Sequence, residues 1–193
     1  TIFHLMGQHV SYSDRYPKEE AYFTPGDIRR EDLTQQERQV VADYDNATRY
    51  WLEGRAYAHT YAWNKIYRRR LFDTVRFPVG RLFEDVHTLP PLMQSAKVIA
   101  TTPEGFYHYT DNPDGITRKA TGRELQDLLD AHLAYIGEGN EVDAAYYAHV
   151  LNIQLSVYDL TGKEPQLPRR RFLGSLKLLL LQLLGMKRLC QLI

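Results

Sequence analysis

One cysteine, Cys190, in a chain of 193 residues excludes an internal disulfide framework and a zinc site built from several cysteines. Neither charge is in excess: 24 basic and 24 acidic groups give a formal net charge of +0. So balanced a chain lacks the overall positive field that nucleic-acid binders use, and no nucleic-acid partner is expected. No apolar run continues uninterrupted across a bilayer's width. A spanning helix needs roughly 20 mainly apolar residues. The richest stretch, residues 172–193, is broken by Lys177, Gln182, Lys187, Arg188 and Gln191. The first residues carry no secretory-signal pattern, and a cytoplasmic location is expected.

What is present is globular in composition, with 44% hydrophobic and 25% charged residues. At roughly 100–200 residues per domain, the length fits one ordinary domain or two small pieces. The neutral total conceals a gradient. Residues 1–50 hold 6 basic and 9 acidic groups, a net of −3, and residues 51–160 hold 11 and 14, again −3. Residues 161–193 hold 7 and 1, a net of +6. An acidic body thus cancels a basic, leucine-rich tail.

Thr1 to Met6, TIFHLM, reads as a short buried strand ended by Gly7. Asp27 or Asp32 can start a helix, with Thr34 to Tyr44 supplying helix-compatible residues. The aromatic, basic segment that follows predicts helix from about Ala58 to Leu71. After the Phe77–Gly80 turn, a short helix is expected over Asp85 to Ser95, bent or displaced by Pro90 and Pro91. Ala96 to Thr101 and Gly105 to Tyr109 are strand candidates, and the DNPDG of residues 111–115 has turn chemistry. Leu125, Leu128, Leu129 and Leu133 share one face of a helix beginning after Thr121, and a second helix covers about Val142 to Tyr158. Interleaved strands and helices make the expected class α/β.

Two polar clusters carry candidate chemistry. Adjacent carboxylates Glu84 and Asp85 follow GRLF. One of them can face a cleft as a general base for a hydroxyl, or both can serve a helix start, where acidic groups are favourable. Trp63, Asn64, Lys65, Tyr67 and Arg68 form the second cluster. On a helix, Trp63 and Tyr67 would share a face while Arg68 met an anion; Arg68 to Arg70 can equally be a solvated basic run. His4 and His9 flank Gly7, where they can contact a phosphoryl group or zinc, or be structural. His59, His87, His108, His132 and His149 show no shared ligand spacing, and His132 reads as the flank of a packed helix face.

From about residue 56 to 160 the sequence resembles the C-terminal half of a family 2 glycosyltransferase. The resemblance rests on separated elements in order: WNKIYR at 63–68, FPVGRLFED at 77–85 and FYHY at 106–109. It implies an incomplete GT-A-like half and transfer of sugar from a nucleotide-sugar to an acceptor hydroxyl on a cell-surface glycan. It places the catalytic base on Asp85, with Glu84 beside it, and sets Trp63, Lys65, Tyr67 and Arg68 on the acceptor side. It also implies a divalent metal, Mn or Mg, held through a DxD element in a donor-binding half. Asp43-Tyr44-Asp45 fits DxD only as a bare pattern and is not assigned to metal. With the donor half lacking from the sequence, the chain is expected to be inactive alone.

Residues 1–50 resemble instead an internal piece of an alkaline-phosphatase-like sulfatase or phosphoethanolamine transferase, through HLMGQHVSYSDRYPKEEAYFT and YDNATRY. That resemblance implies zinc chemistry and maps phosphoryl or metal contact to His9. The expected organisation is therefore a sulfatase-like fragment at 1–50 that packs loosely, a glycosyltransferase half at 51–160, and a basic amphipathic tail at 161–193. Residues 168–193 are expected either to meet the inner membrane face peripherally or to dock on the domain.

Overall fold

The computed structural model describes residues 2–5, 42–44, 46–102, 121–172 and 175–192, with side chains at 46–101, 121–172 and 175–192. Among these residues helices predominate. They are α1 (Ala47–Leu52), α2 (Glu84–Ser95), α3 (Gly122–Gly137), α4 (Ala144–Thr161), α5 (Leu176–Leu184) and α6 (Met186–Gln191). Four short strands, β1 (Ile2–Leu5), β2 (Ala42–Tyr44), β3 (Lys65–Tyr67) and β4 (Ile99–Thr102), form one mixed sheet in the order β2-β4-β1-β3. β1 lies parallel to β4, with Ile2 opposite Ile99, and antiparallel to β3, with His4 opposite Lys65. β2 closes the other edge antiparallel to β4.

Several of the helices start where side chains satisfy free backbone donors. Asn46 Oδ1 accepts from the Thr48 N–H at 2.7 Å, and Asp143 Oδ1 accepts from the Tyr146 N–H at 2.7 Å. At α3 the Glu124 carboxylate accepts from the Thr121 N–H at 2.8 Å and from its hydroxyl. α3 and α4 pack together, and α1 sits against them with Tyr50 and Trp51 wholly buried. The Trp51 ring lies 4.9 Å from Tyr135 and meets Tyr146 edge-on at 5.6 Å. Leu89, Met93, Leu129 and Leu151 complete the centre of this core.

Several expected elements are observed: β1, β4, and the helices after Thr121 and near Val142. Others are corrected. The segment 58–71 is not a helix; it contains short 3-10 turns at Ala56–Ala58, Ala62–Asn64 and Arg69–Phe72, with β3 between them. Its aromatic and β-branched residues suit a pleated strand once β1 offers a partner. Tyr44, expected at a helix end, closes strand β2. α2 runs through Pro90 and Pro91 without ending. There the hydroxyls of Thr88 and Ser95 donate to the carbonyls of Glu84 and Pro91 at 2.6 and 2.9 Å, as Ser and Thr do within helices.

The boundary expected at residues 50/51 falls inside α1, and the sheet combines strands from both sides of it. β1 is an interior strand, so Ile2–Leu5 do not form a loose appendage. The tail carries two helices, separated at Gly185 with φ +79°. Among the described residues no helix is long and apolar enough to cross a membrane. The strand expected at Gly105–Tyr109, the 111–115 turn and His108 lie outside the described residues.

Candidate functional site

The Glu84-Asp85 pair opens α2, directly after Phe83, whose backbone takes the left-handed φ of +53°. A bulky residue adopts that conformation only where its surroundings enforce it. The two residues before Phe83 are tied to α3. Asp127 Oδ2 accepts from the Leu82 N–H at 3.2 Å, while Arg81 Nη1 lies 3.0 Å from Asp127 Oδ1 and 3.4 Å from Asp130 Oδ2. The Leu82 N–H, then Arg81, hold the Asp127 carboxyl below its usual range. Asp127→Ala is expected to cost about 1–2 kcal/mol, since it leaves the Leu82 N–H and Arg81 without their carboxylate. Thermal unfolding would measure that loss, and faster hydrogen exchange at Leu82 would place it in this loop.

Asp85 is half-buried, and its Oδ1 accepts from the Val86 N–H at 2.8 Å. Phe83 offers no side-chain cap, and Asp85 shares the Val86 N–H with the Phe83 carbonyl, which accepts it at 3.0 Å. Burial raises the Asp85 pKa; the Val86 hydrogen bond opposes this, the Glu84 charge adds to it, and Lys65 counteracts it. Glu84 itself is exposed.

Lys65, at the start of β3, is 6% exposed. Its ammonium donates to the Asn64 side-chain oxygen at 2.7 Å, to the Tyr61 carbonyl at 3.0 Å and to the His59 carbonyl. Burial pulls its pKa down to about 7, against the opposing Asp85 charge. Tyr67, at the far end of β3, has its phenol pushed upward by burial and by Asp85. The fold thus gathers Asp85, Lys65 and Tyr67 into one electrostatic group. An edge strand supplies two members and a helix N-terminus supplies the third. A half-buried carboxylate with a raised pKa, positioned at a helix start, can accept a proton from a bound hydroxyl.

The other members of the WNKIYR element are arranged differently from the helical expectation. Trp63 and Tyr67 do not share a helix face. Trp63 stacks on Tyr61 with centroids 5.3 Å apart, while Tyr67 meets Phe72 edge-on at 5.5 Å. Arg68 is exposed just beyond β3. His9 lies outside the described residues, and of the DxD-like pattern only Asp43 and Tyr44 are described, in β2.

Two features escaped sequence reasoning. The Arg81–Asp127 bond joins residues 46 apart, and nothing in either local pattern announces it. Three of the five histidines without a shared spacing, His87, His132 and His149, come together from three helices. His132 on α3 is 1% exposed; its Nδ1 lies 3.1 Å from the Tyr146 hydroxyl and its ring 5.3 Å from that of His149 on α4. His87 on α2 is close enough to lower its pKa as well. Even so, no group of three or more His, Cys, Asp or Glu that could hold a metal occurs among the described residues.

No family profile matches the chain, and no solved structure matches it. Glycosyltransferase GlyA of Streptococcus pneumoniae serotype 4 (strain ATCC BAA-334 / TIGR4) is 27% identical over 116 residues. The chain is distantly similar to a glycosyltransferase. That similarity covers 57% of this chain and 17% of GlyA, so the chain spans well under two thirds of the relative it matches.

Proposed function

We propose that residues 51–160 form the acceptor side of a family 2, GT-A-like glycosyltransferase. In this reading a nucleotide-sugar is the donor and a glycan hydroxyl the acceptor. The observation that carries it is the half-buried Asp85 carboxylate at the α2 N-terminus, coupled through charge to Lys65 and Tyr67 of β3, within a chain partly similar to a glycosyltransferase. Asp85 takes the acceptor hydroxyl's proton as that oxygen attacks the anomeric carbon, and the bond to the nucleotide diphosphate breaks with inversion. Burial raises the carboxylate's basicity, which makes it a better proton acceptor in the transition state. Lys65 limits that rise and orders the turn between Tyr61 and β3. Trp63 and Arg68 shape the acceptor side, and Glu84 plays the minor part of a neighbouring charge.

The described residues do not fit a metal-ligand set, so no step here is routed through a divalent ion or zinc. The test is sugar transfer by the polypeptide as its gene encodes it, with and without Asp85→Asn. Loss of transfer with unchanged folding supports the reading, and undiminished turnover by Asp85→Asn overturns it.

A further inference from the structure

A helix that is apolar all round is normally buried all round. α5, LKLLLLQLL, has only Lys177 and Gln182 as polar residues, yet it is covered on one side. Leu178 and Leu181 are buried in the core. Leu176, Leu179 and Leu183, spaced three and four apart on the opposite face, are 72%, 48% and 71% exposed. Leu192, just beyond α6, is 69% exposed.

The polar groups are used internally. Lys177 Nζ lies 2.5 Å from Asn152 Oδ1 on α4, and the Gln182 amide donates to the Phe172 carbonyl. The helix therefore bonds its two polar side chains to the protein, Lys177 remaining exposed as it does so, while Leu176, Leu179 and Leu183 face outward. This is the reverse of a solvated surface helix.

The charge carried by α5 and α6 themselves has one sign, and the carboxylate that reaches them, Glu164, is paired with Lys187 at 2.7 Å. Residues 175–193 contain Lys177, Lys187 and Arg188 and no carboxylate. The preceding basic run is tied alongside, because Arg169 Nη2 donates to the Gln182 carbonyl at 2.6 Å. Arg171 and Arg188 are exposed. A symmetric pairing of two copies through this face would set one cationic rim against the other, which Coulomb repulsion opposes. A surface offering both apolar depth and negative charge meets no such penalty.

We infer that α5 and α6 are an interfacial anchor: the Leu176/Leu179/Leu183 stripe enters the headgroup–acyl boundary of an anionic bilayer, with Arg171 and Arg188 at its phosphates. Such helices lie in the interface plane and bind through buried apolar area together with attraction to anionic lipid. Two short helices hinged at Gly185 suit that position, since neither has to span.

The experiment is co-sedimentation of the whole chain with vesicles of phosphatidylcholine and phosphatidylglycerol, compared with phosphatidylcholine alone. Binding is expected to favour the anionic vesicles by about tenfold or more, and to fall as salt is raised. The triple variant Leu176→Ser/Leu179→Ser/Leu183→Ser is expected to lose that binding while melting as the parent does. If that variant does not fold, Arg171→Glu/Arg188→Glu supplies the test: it should abolish the preference for phosphatidylglycerol. Binding unaffected by either set of changes, or no preference for anionic vesicles, overturns the inference. So does a dimer, seen by light scattering, that the serine variant dissociates.

Discussion

Asp85→Asn is expected to lower kcat for sugar transfer by about 10²- to 10⁴-fold, the usual contribution of a positioned general base. The amide preserves the shape of the side chain and can still accept from the Val86 N–H through its oxygen, so α2 should start as before. What it loses is the capacity to accept a proton. Glu84→Gln is expected to change the rate only a few-fold, because Glu84 is exposed and acts on Asp85 through its charge alone. Equal losses in both variants would point to the charge of the pair rather than to a base.

The pH profile supplies an independent readout. Rate should rise with pH as Asp85 loses its proton, with the midpoint above the ordinary aspartate range because burial raises that pKa. Lys65 counteracts the shift, so Lys65→Met should move the acidic limb to still higher pH. A merely structural role for Lys65 would lower stability and leave the midpoint where it was.

Acid sensitivity is the second large effect. His132 is held neutral by burial, with the nearby His149 and His87 adding to it, and its pKa falls from 6.5 to about 3. His149 is also lowered, by burial and by Arg55. The other groups around His132 are aromatic: Tyr146 at hydrogen-bond distance, Trp51 at 6.4 Å between ring centres, and Tyr57 and Tyr135 packed around the same Tyr146 and Trp51. No carboxylate appears among the groups that set the His132 pKa.

The sign follows from proton uptake. Between pH 6.5 and about 3 the unfolded chain protonates this histidine and the folded chain does not. Stability therefore falls as the pH drops below 6.5, by up to about 1.4 kcal/mol per pH unit for a single site fully in this window. Urea unfolding midpoints measured from pH 7 down to pH 4 check the slope. His132→Phe should flatten it, at a cost of about 1 kcal/mol for the lost Tyr146 hydrogen bond. A slope that survives this substitution would assign the acid response to other groups.

The locally encoded elements were legible. Leu125, Leu129 and Leu133 after Thr121 mark α3 in the sequence, and the pattern from about Val142 marks α4; the structure adds the Glu124 and Asp143 caps. Each depends on interactions within a few residues, which the linear order already contains. The Glu84-Asp85 pair was legible for the same reason, as adjacent acids at a helix start. β3 was not. A three-residue strand has no internal hydrogen bonds and exists only because β1 arrives from the far end of the chain. Once Lys65–Tyr67 became a strand, the helical face expected for Trp63 and Tyr67 no longer existed.

By itself, then, the sequence determined the separation of charge, the helices after Thr121 and near Val142, and the acidic pair that begins α2. Tertiary structure alone decided that Asp85 acts on Lys65 and Tyr67 through its charge, that Arg81 binds Asp127, and that His87 and His149 come near the buried His132. It also decided which leucines of α5 are covered and which face outward. The physical reason is common to all of these. Desolvation and charge coupling depend on distance in space, and residues far apart in sequence acquire a distance only when the chain closes around its core.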